Sequence, residues 1–214
     1  MENSPQKPHA ILVTYPLQGH VIPSVNLAIK LASRGFTITF ITTQFIHDKT
    51  IKAQSKDDND NDNDVFAAVR KSGGLDIRYK IIPDGLPVGF DRSLNHDQFM
   101  AALLHVFSAH VEEAVMEILN KGPPVSCLVA DTFFVWPARV ARKYGILYVS
   151  FWTEPALVFT LYYHVELLRL NSHFGCQGKF IIPSLVKLRC TKMYSMVVLI
   201  LIKCTNTYMS VFIL

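Results

Sequence analysis

At 214 residues, half of them hydrophobic, the chain is long enough for one large domain with a substantial core. Its net charge of +4 resides in residues 180–214, where Lys187, Arg189, Lys192 and Lys203 meet no acid. The remainder is balanced and carries no Lys/Arg stripe with interleaved aromatics, which argues against nucleic acid as a partner.

Residues 10–13, Ala-Ile-Leu-Val, form the continuous apolar run of a strand buried on both faces. The run breaks at Tyr15-Pro16, turns through Gly19-His20, and resumes at Pro23 with a helical apolar face that stops at Gly35. Residues 36–42, β-branched and aromatic, predict a second strand, and the order strand–helix–Gly–strand fits a right-handed parallel crossover. A dinucleotide fold would carry G-x-G-x-x-G in the first turn and an acid at the end of strand two. Here Gly19 stands alone and strand two runs into Thr42-Thr43-Gln44, so a nicotinamide cofactor is not expected.

The Asp/Asn run 57–64 lacks the Gly and Glu that a calcium loop needs at its sixth and twelfth positions, and predicts a flexible acidic loop over 55–64. Residues 75–82 alternate at period two and predict a third strand with one wet face, ended by the turn at Asp84-Gly85. Asn95, with Gln98 as its capping-box partner, opens a long helix. Its buried side should carry Phe99, Leu103, Val106, Phe107, His110, Ala114, Val115 and Ile118. His105 and His110, five apart, do not share a face as metal ligands and read as ordinary helix histidines. Residues 125–130 predict a fourth strand ending at Asp131, and 133–144 a helix closed by Gly145. Residues 146–152 predict a fifth strand ending at Thr153-Glu154-Pro155, with Pro155 in the first turn of a helix that reaches Leu170.

Cys127, Cys176, Cys190 and Cys204 form no C-x-x-C pair and no metal-ligand spacing, and residues 1–8 are polar without signal-peptide character. The apolar run 196–202 is far short of the roughly 20 residues that cross a bilayer. The expectation is a reduced, cytoplasmic protein with no membrane span. Its fold class is α/β, a Rossmann-like parallel sheet with helices on both faces.

His20, Asp131 and Thr153 then all stand at carboxyl ends of parallel strands, where the crevice of an open sheet lies. His20 is either a turn residue with a satisfied hydrogen bond or a general base, since imidazole titrates near neutrality. Asp131 is either the cap of the next helix or a working carboxylate.

Pro16-Leu-Gln-Gly-His20-Val-Ile-Pro23, then Ala130-Asp131-Thr-Phe-Phe-Val-Trp136, then Phe151-Trp152-Thr153 resemble the N-terminal half of the plant UDP-glycosyltransferases, over residues 8–178. The resemblance implies the GT-B fold, two Rossmann-like domains facing across a cleft, with residues 9–178 as the acceptor-binding domain. It implies inverting transfer of a sugar, usually glucose, from a UDP-sugar to a hydroxyl of a small lipophilic acceptor such as a flavonoid, terpenoid or hormone. His20 is then the general base, and Asp131 holds its second ring nitrogen. Gly19 lets backbone approach the sugar donor, Thr153 contacts the sugar, and Phe90, Phe133 and Trp152 line an apolar acceptor pocket. No metal and no cofactor are implied; UDP-glucose is a co-substrate, bound only if a C-terminal donor domain is supplied.

The sequence also departs from that family. Its two tryptophans, Trp136 and Trp152, both lie in the first part, and the family's Trp- and Gln-containing signature box is absent. Residues 179–214 are apolar with no clean period, and are expected to be a tail foreign to the fold; the alternative is a terminus that packs as a final strand. Residues 1–8 are expected to be disordered. The chain is expected to be a truncated, inactive form of such an enzyme, or alternatively a non-catalytic binding module or the partner of a full-length relative.

Overall fold

The computed structural model describes residues 7–53 and 64–170, together with the backbone strands 198–202 and 209–213. The first half runs β1 (His9–Val13), α1 (Gln18–Ser33), β2 (Thr37–Thr43), α2 (Gln44–Ala53), α3 (Ala67–Gly73) and β3 (Ile77–Ile82). There follow α4 (His96–Ala102), a π-helical turn (Leu103–Phe107), α5 (Ser108–Lys121), β4 (Cys127–Asp131), α6 (Pro137–Lys143) and β5 (Leu147–Trp152). The last elements are α7 (Ala156–Tyr163), α8 (Val165–Leu170), β6 (Val198–Ile202) and β7 (Met209–Ile213).

One sheet holds all seven strands in the order β3-β2-β1-β4-β5-β6-β7. The first five are parallel, and β6 and β7 join antiparallel beyond β5. The chain moves outward from β1 to β3, then returns to place β4 on the other side of β1. That reversal between β1 and β4 is where a parallel sheet opens its ligand crevice.

The strands are legible as apolar runs because helices cover both faces. Ile11, Val13, Ile41, Leu128 and Ala130 pack with Phe99, Leu103, Phe107, Val111 and Val140 on one side. Ala10, Leu12, Ile38, Phe40 and Val129 pack with Leu27, Ala28 and Phe66 on the other. Each large apolar side chain so buried stabilises the fold by about 1.5–3 kcal/mol. β3 is an edge strand, and only its ends, Ile77 and Ile82, are buried. Gly35 and Gly145, the expected helix stops, have φ of 90° and 67°, a left-handed backbone that glycine enters without Cβ strain.

Several expected boundaries move. α1 begins at Gln18, so Gly19 and His20 lie in its first turn and Pro23 lies inside it. A proline there still leaves one backbone carbonyl without an i+4 amide. α6 begins at Pro137, which takes the first helical position, and residues 133–136 form a turn that sends Phe134 and Trp136 into the core. The expected helix to Leu170 is broken at His164 into α7 and α8, with Pro155 as N-cap. α2 and α3 were not anticipated.

The capping box at Asn95 does not form. The Asn95 amide instead donates to the Asp91 carbonyl, and no side chain caps α4. The π turn then shifts the apolar stripe: Phe99, Leu103, Phe107, Val111 and Val115 are buried at successive fourth positions while Val106 is exposed. A wider turn keeps i and i+4 in line where a regular helix would rotate them apart. The continuous helix His96–Lys121 is long and apolar enough to cross a membrane by length and composition, and its apolar side here forms part of the core.

The expected acidic loop 55–64 lies outside the described residues except for Asp64, as do residues 1–6 and the tail apart from β6 and β7. In those two segments, β6 pairs antiparallel with β5 from Val149 with Leu201 to Trp152 with Val198.

Candidate functional site

β1 and β4 are hydrogen-bonded neighbours, with Val13 paired to Ala130. Asp131 is therefore the last residue of β4, beside the point where the chain leaves β1 for α1. His20, in the first turn of α1, is 4% exposed. The Ser24 hydroxyl donates to the His20 carbonyl at 2.7 Å and fixes that turn.

The two side chains meet. His20 Nδ1 lies 2.8 Å from Asp131 Oδ2, with the carboxylate wholly buried. Such a carboxylate needs every lone-pair direction answered. Oδ1 accepts the Phe133 backbone N–H at 2.9 Å, and Oδ2 also accepts the Thr153 hydroxyl at 3.1 Å. Thr153 Oγ1 is in turn 2.7 Å from His20 Nδ1. The consistent arrangement has Nδ1–H donating to Asp131 and shared with the Thr153 oxygen. In the neutral ring Nε2 then holds the lone pair, as a general base requires, and it lies 3.6 Å from Glu154 Oε1.

Aromatic rings form the surroundings. The Phe133 ring is 4.7 Å from the imidazole and 39% exposed, so it presents a face to the crevice. Tyr15, 5.1 Å from the imidazole and 5.8 Å from the Phe133 ring, is buried and donates to Met100 Sδ at 3.1 Å. Burial, with a smaller contribution from the Asp131 charge, pushes the Tyr15 phenol above its ordinary range. Trp152 sits 6.2 Å from Phe133 and is itself buried against Phe159 and Tyr162.

Of the residues singled out from the sequence, His20, Asp131 and Thr153 are thus brought into one hydrogen-bonded group, with Phe133 against it and Trp152 behind Phe133. The Thr153 hydroxyl, expected to meet a sugar, is engaged with the His–Asp pair. Gly19 is exposed, with open space where a Cβ would stand. Phe90 belongs to the loop between β3 and α4 and, among the described contacts, does not touch the His20 group.

That loop is held by a residue the sequence reading passed over. Arg92, 5% exposed, pairs through Nε and Nη2 with the buried Asp84 and donates through Nη1 to the carbonyls of Pro87, Val88 and Phe90. Its guanidinium lies 3.9 Å from the centre of the Phe45 ring. Glu154 was also passed over: its Oε1 stands 3.6 Å from His20 Nε2. The available signal was its place directly after Thr153 at a strand end. A surface groove of about 640 Å³ lies elsewhere, between β3 and α5, lined by Lys80, His110, Glu117 and Lys121 among others, and does not include His20.

No family model matches the chain. It is 58% identical over 169 residues to UDP-glycosyltransferase 86A2 of Arabidopsis thaliana, covering 79% of this chain and 34% of that protein. It is 36% identical over 174 residues to linamarin synthase 1 of Manihot esculenta, covering 78% and 33%. Among solved structures, a UDP-glucose:anthocyanidin 3-O-glucosyltransferase in complex with UDP superposes with a TM-score of 0.58 at 21% identity, over 82% of this chain and 36% of that one. Os79 of O. sativa, in complex with U2F and trichothecene, gives 0.56 at 22% identity, over 75% and 32%. The chain spans about a third of the length of the relatives it matches.

Proposed function

We infer that this chain, which belongs with the plant UDP-glycosyltransferases over the part of their length that it spans, forms the acceptor side of an inverting sugar transfer. The reading rests on one observation: a buried histidine with Nδ1 on a buried aspartate, which leaves Nε2 as the ring nitrogen available to an acceptor. The acceptor hydroxyl gives its proton to Nε2 as its oxygen bonds to the anomeric carbon. The bond from that carbon to UDP breaks on the opposite face, and its electron pair leaves with the phosphate oxygen. Asp131 then stabilises the imidazolium, and Thr153 keeps the carboxylate in line.

Phe133, with Trp152 behind it, gives the acceptor an apolar wall. A small lipophilic alcohol or phenol fits that wall. UDP-glucose is the proposed co-substrate, held by the part of the relatives that this chain does not span. The proposed compartment is the cytoplasm; among the described residues Cys127 has no disulfide partner, and burial pushes its thiol up to about 11.

The test joins this chain, through Leu170, to the remaining part of the 58% identical Arabidopsis relative. UDP release is measured with UDP-glucose and a panel of phenols. Turnover that His20→Ala abolishes supports the reading; turnover unaffected by it sinks the reading.

A further inference from the structure

The imidazole of His20 has a carboxylate at each nitrogen. Asp131 is on Nδ1 at 2.8 Å; Glu154 Oε1 is at 3.6 Å from Nε2, its side chain 36% exposed. The two play different parts. Nδ1–H donates to Asp131, which leaves Nε2 as a lone-pair acceptor. With His20 neutral, Glu154 is an acceptor too, so a ligand that meets both groups must bring a donor to each.

The backbone at Glu154 is set by its neighbours. The Thr153 hydroxyl is fixed on Asp131, and Pro155, at φ −56°, confines the residue before it to extended backbone. Among the described residues its charge contact is His20, with no Lys or Arg recorded against it. The Phe133 ring beside the imidazole can support an aromatic acceptor in the same space.

We propose that Glu154 determines acceptor specificity, selecting molecules with a second hydrogen-bond donor next to the reacting hydroxyl, as in a catechol, and rejecting carboxylates. This rests on the reading of His20 as the general base. The reacting O–H points to Nε2 and its neighbour donates to Glu154. A lone phenol satisfies one acceptor and leaves the other. A carboxylate brings a third negative charge beside two that are already there.

Binding to the 214-residue chain tests this without turnover, followed by the quenching of tryptophan fluorescence. The probes are 4-methylcatechol, 4-methylphenol and 4-methylbenzoate. A charge-assisted hydrogen bond at a part-exposed site should favour the catechol over the phenol by about tenfold, with benzoate weakest. In Glu154→Ala the catechol preference should fall to within about twofold and benzoate binding should improve. Glu154→Gln, which keeps size and an acceptor oxygen, should restore benzoate binding and retain part of the catechol preference. An unchanged preference in Glu154→Ala overturns the role of Glu154 and leaves the acceptor site intact. Binding of none of the probes by the unaltered chain overturns the acceptor site, and this inference with it.

Discussion

His20 and Asp131 are 111 residues apart in the chain and 2.8 Å apart in the fold. The contact depends on β4 returning to the side of β1, so that the end of one strand faces the first turn of the helix after the other.

In the joined enzyme, His20→Ala and Asp131→Ala should each lower kcat by about 10²–10⁴-fold, the usual loss of a general base. The double variant should be no worse than His20→Ala, because Asp131 acts through His20. Steady-state kinetics of the three variants decide it; multiplicative losses would give Asp131 a separate task.

Thr153→Val keeps the shape and removes the hydroxyl. With that hydroxyl engaged on the His–Asp pair, kcat should fall by about tenfold while KM for UDP-glucose holds. A raised KM for UDP-glucose with kcat preserved would return Thr153 to the sugar.

Arg92→Met leaves Asp84 charged and buried, and should destabilise the domain by about 3–5 kcal/mol in urea unfolding. Adding Asp84→Asn should recover part of the loss, since the two side chains share one network. Losses that simply add would mean the pair is not coupled.

His9 is fully buried at the start of β1, between the Pro123 carbonyl and the Thr39 hydroxyl. Burial holds its pKa below the ordinary 6.5, aided by the Arg78 charge and opposed by the Pro123 hydrogen bond and Asp76. The unfolded chain therefore takes up a proton before the folded one does. The stability contributed by neutral His9 is complete above about pH 6.5 and declines as the pH falls below that value. Unfolding midpoints between pH 8 and pH 5 should show this decline in the unaltered chain, and a flatter profile in His9→Gln; parallel profiles would refute it.

Much of the sheet was legible because β1, β2, β4 and β5 are covered on both faces and so read as unbroken apolar runs. The edge strand β3 was legible from its period-two pattern. The helix register was less so. A π turn is a matter of which carbonyl an amide selects, and side-chain periodicity carries no trace of it until the packing is known, which is why Val106 was misplaced and Val111 missed. Asn95 does not cap α4: its Nδ2 donates to the Asp91 carbonyl four residues back, and no α4 amide donates to its Oδ1.

The sequence by itself determined that three chemically useful residues follow apolar runs: Asp131 ends β4, Thr153 comes directly after β5, and His20, expected at a strand end, lies in the first turn of the helix after β1. It could not determine which strand ends are adjacent. Pairing of β1 with β4 joins residues more than a hundred positions apart, and many pairings would satisfy the same apolar pattern. Tertiary structure alone put Asp131 and Thr153 on one imidazole nitrogen and Glu154 across from the other, because burial leaves a carboxylate no partners except those the neighbouring strand ends supply.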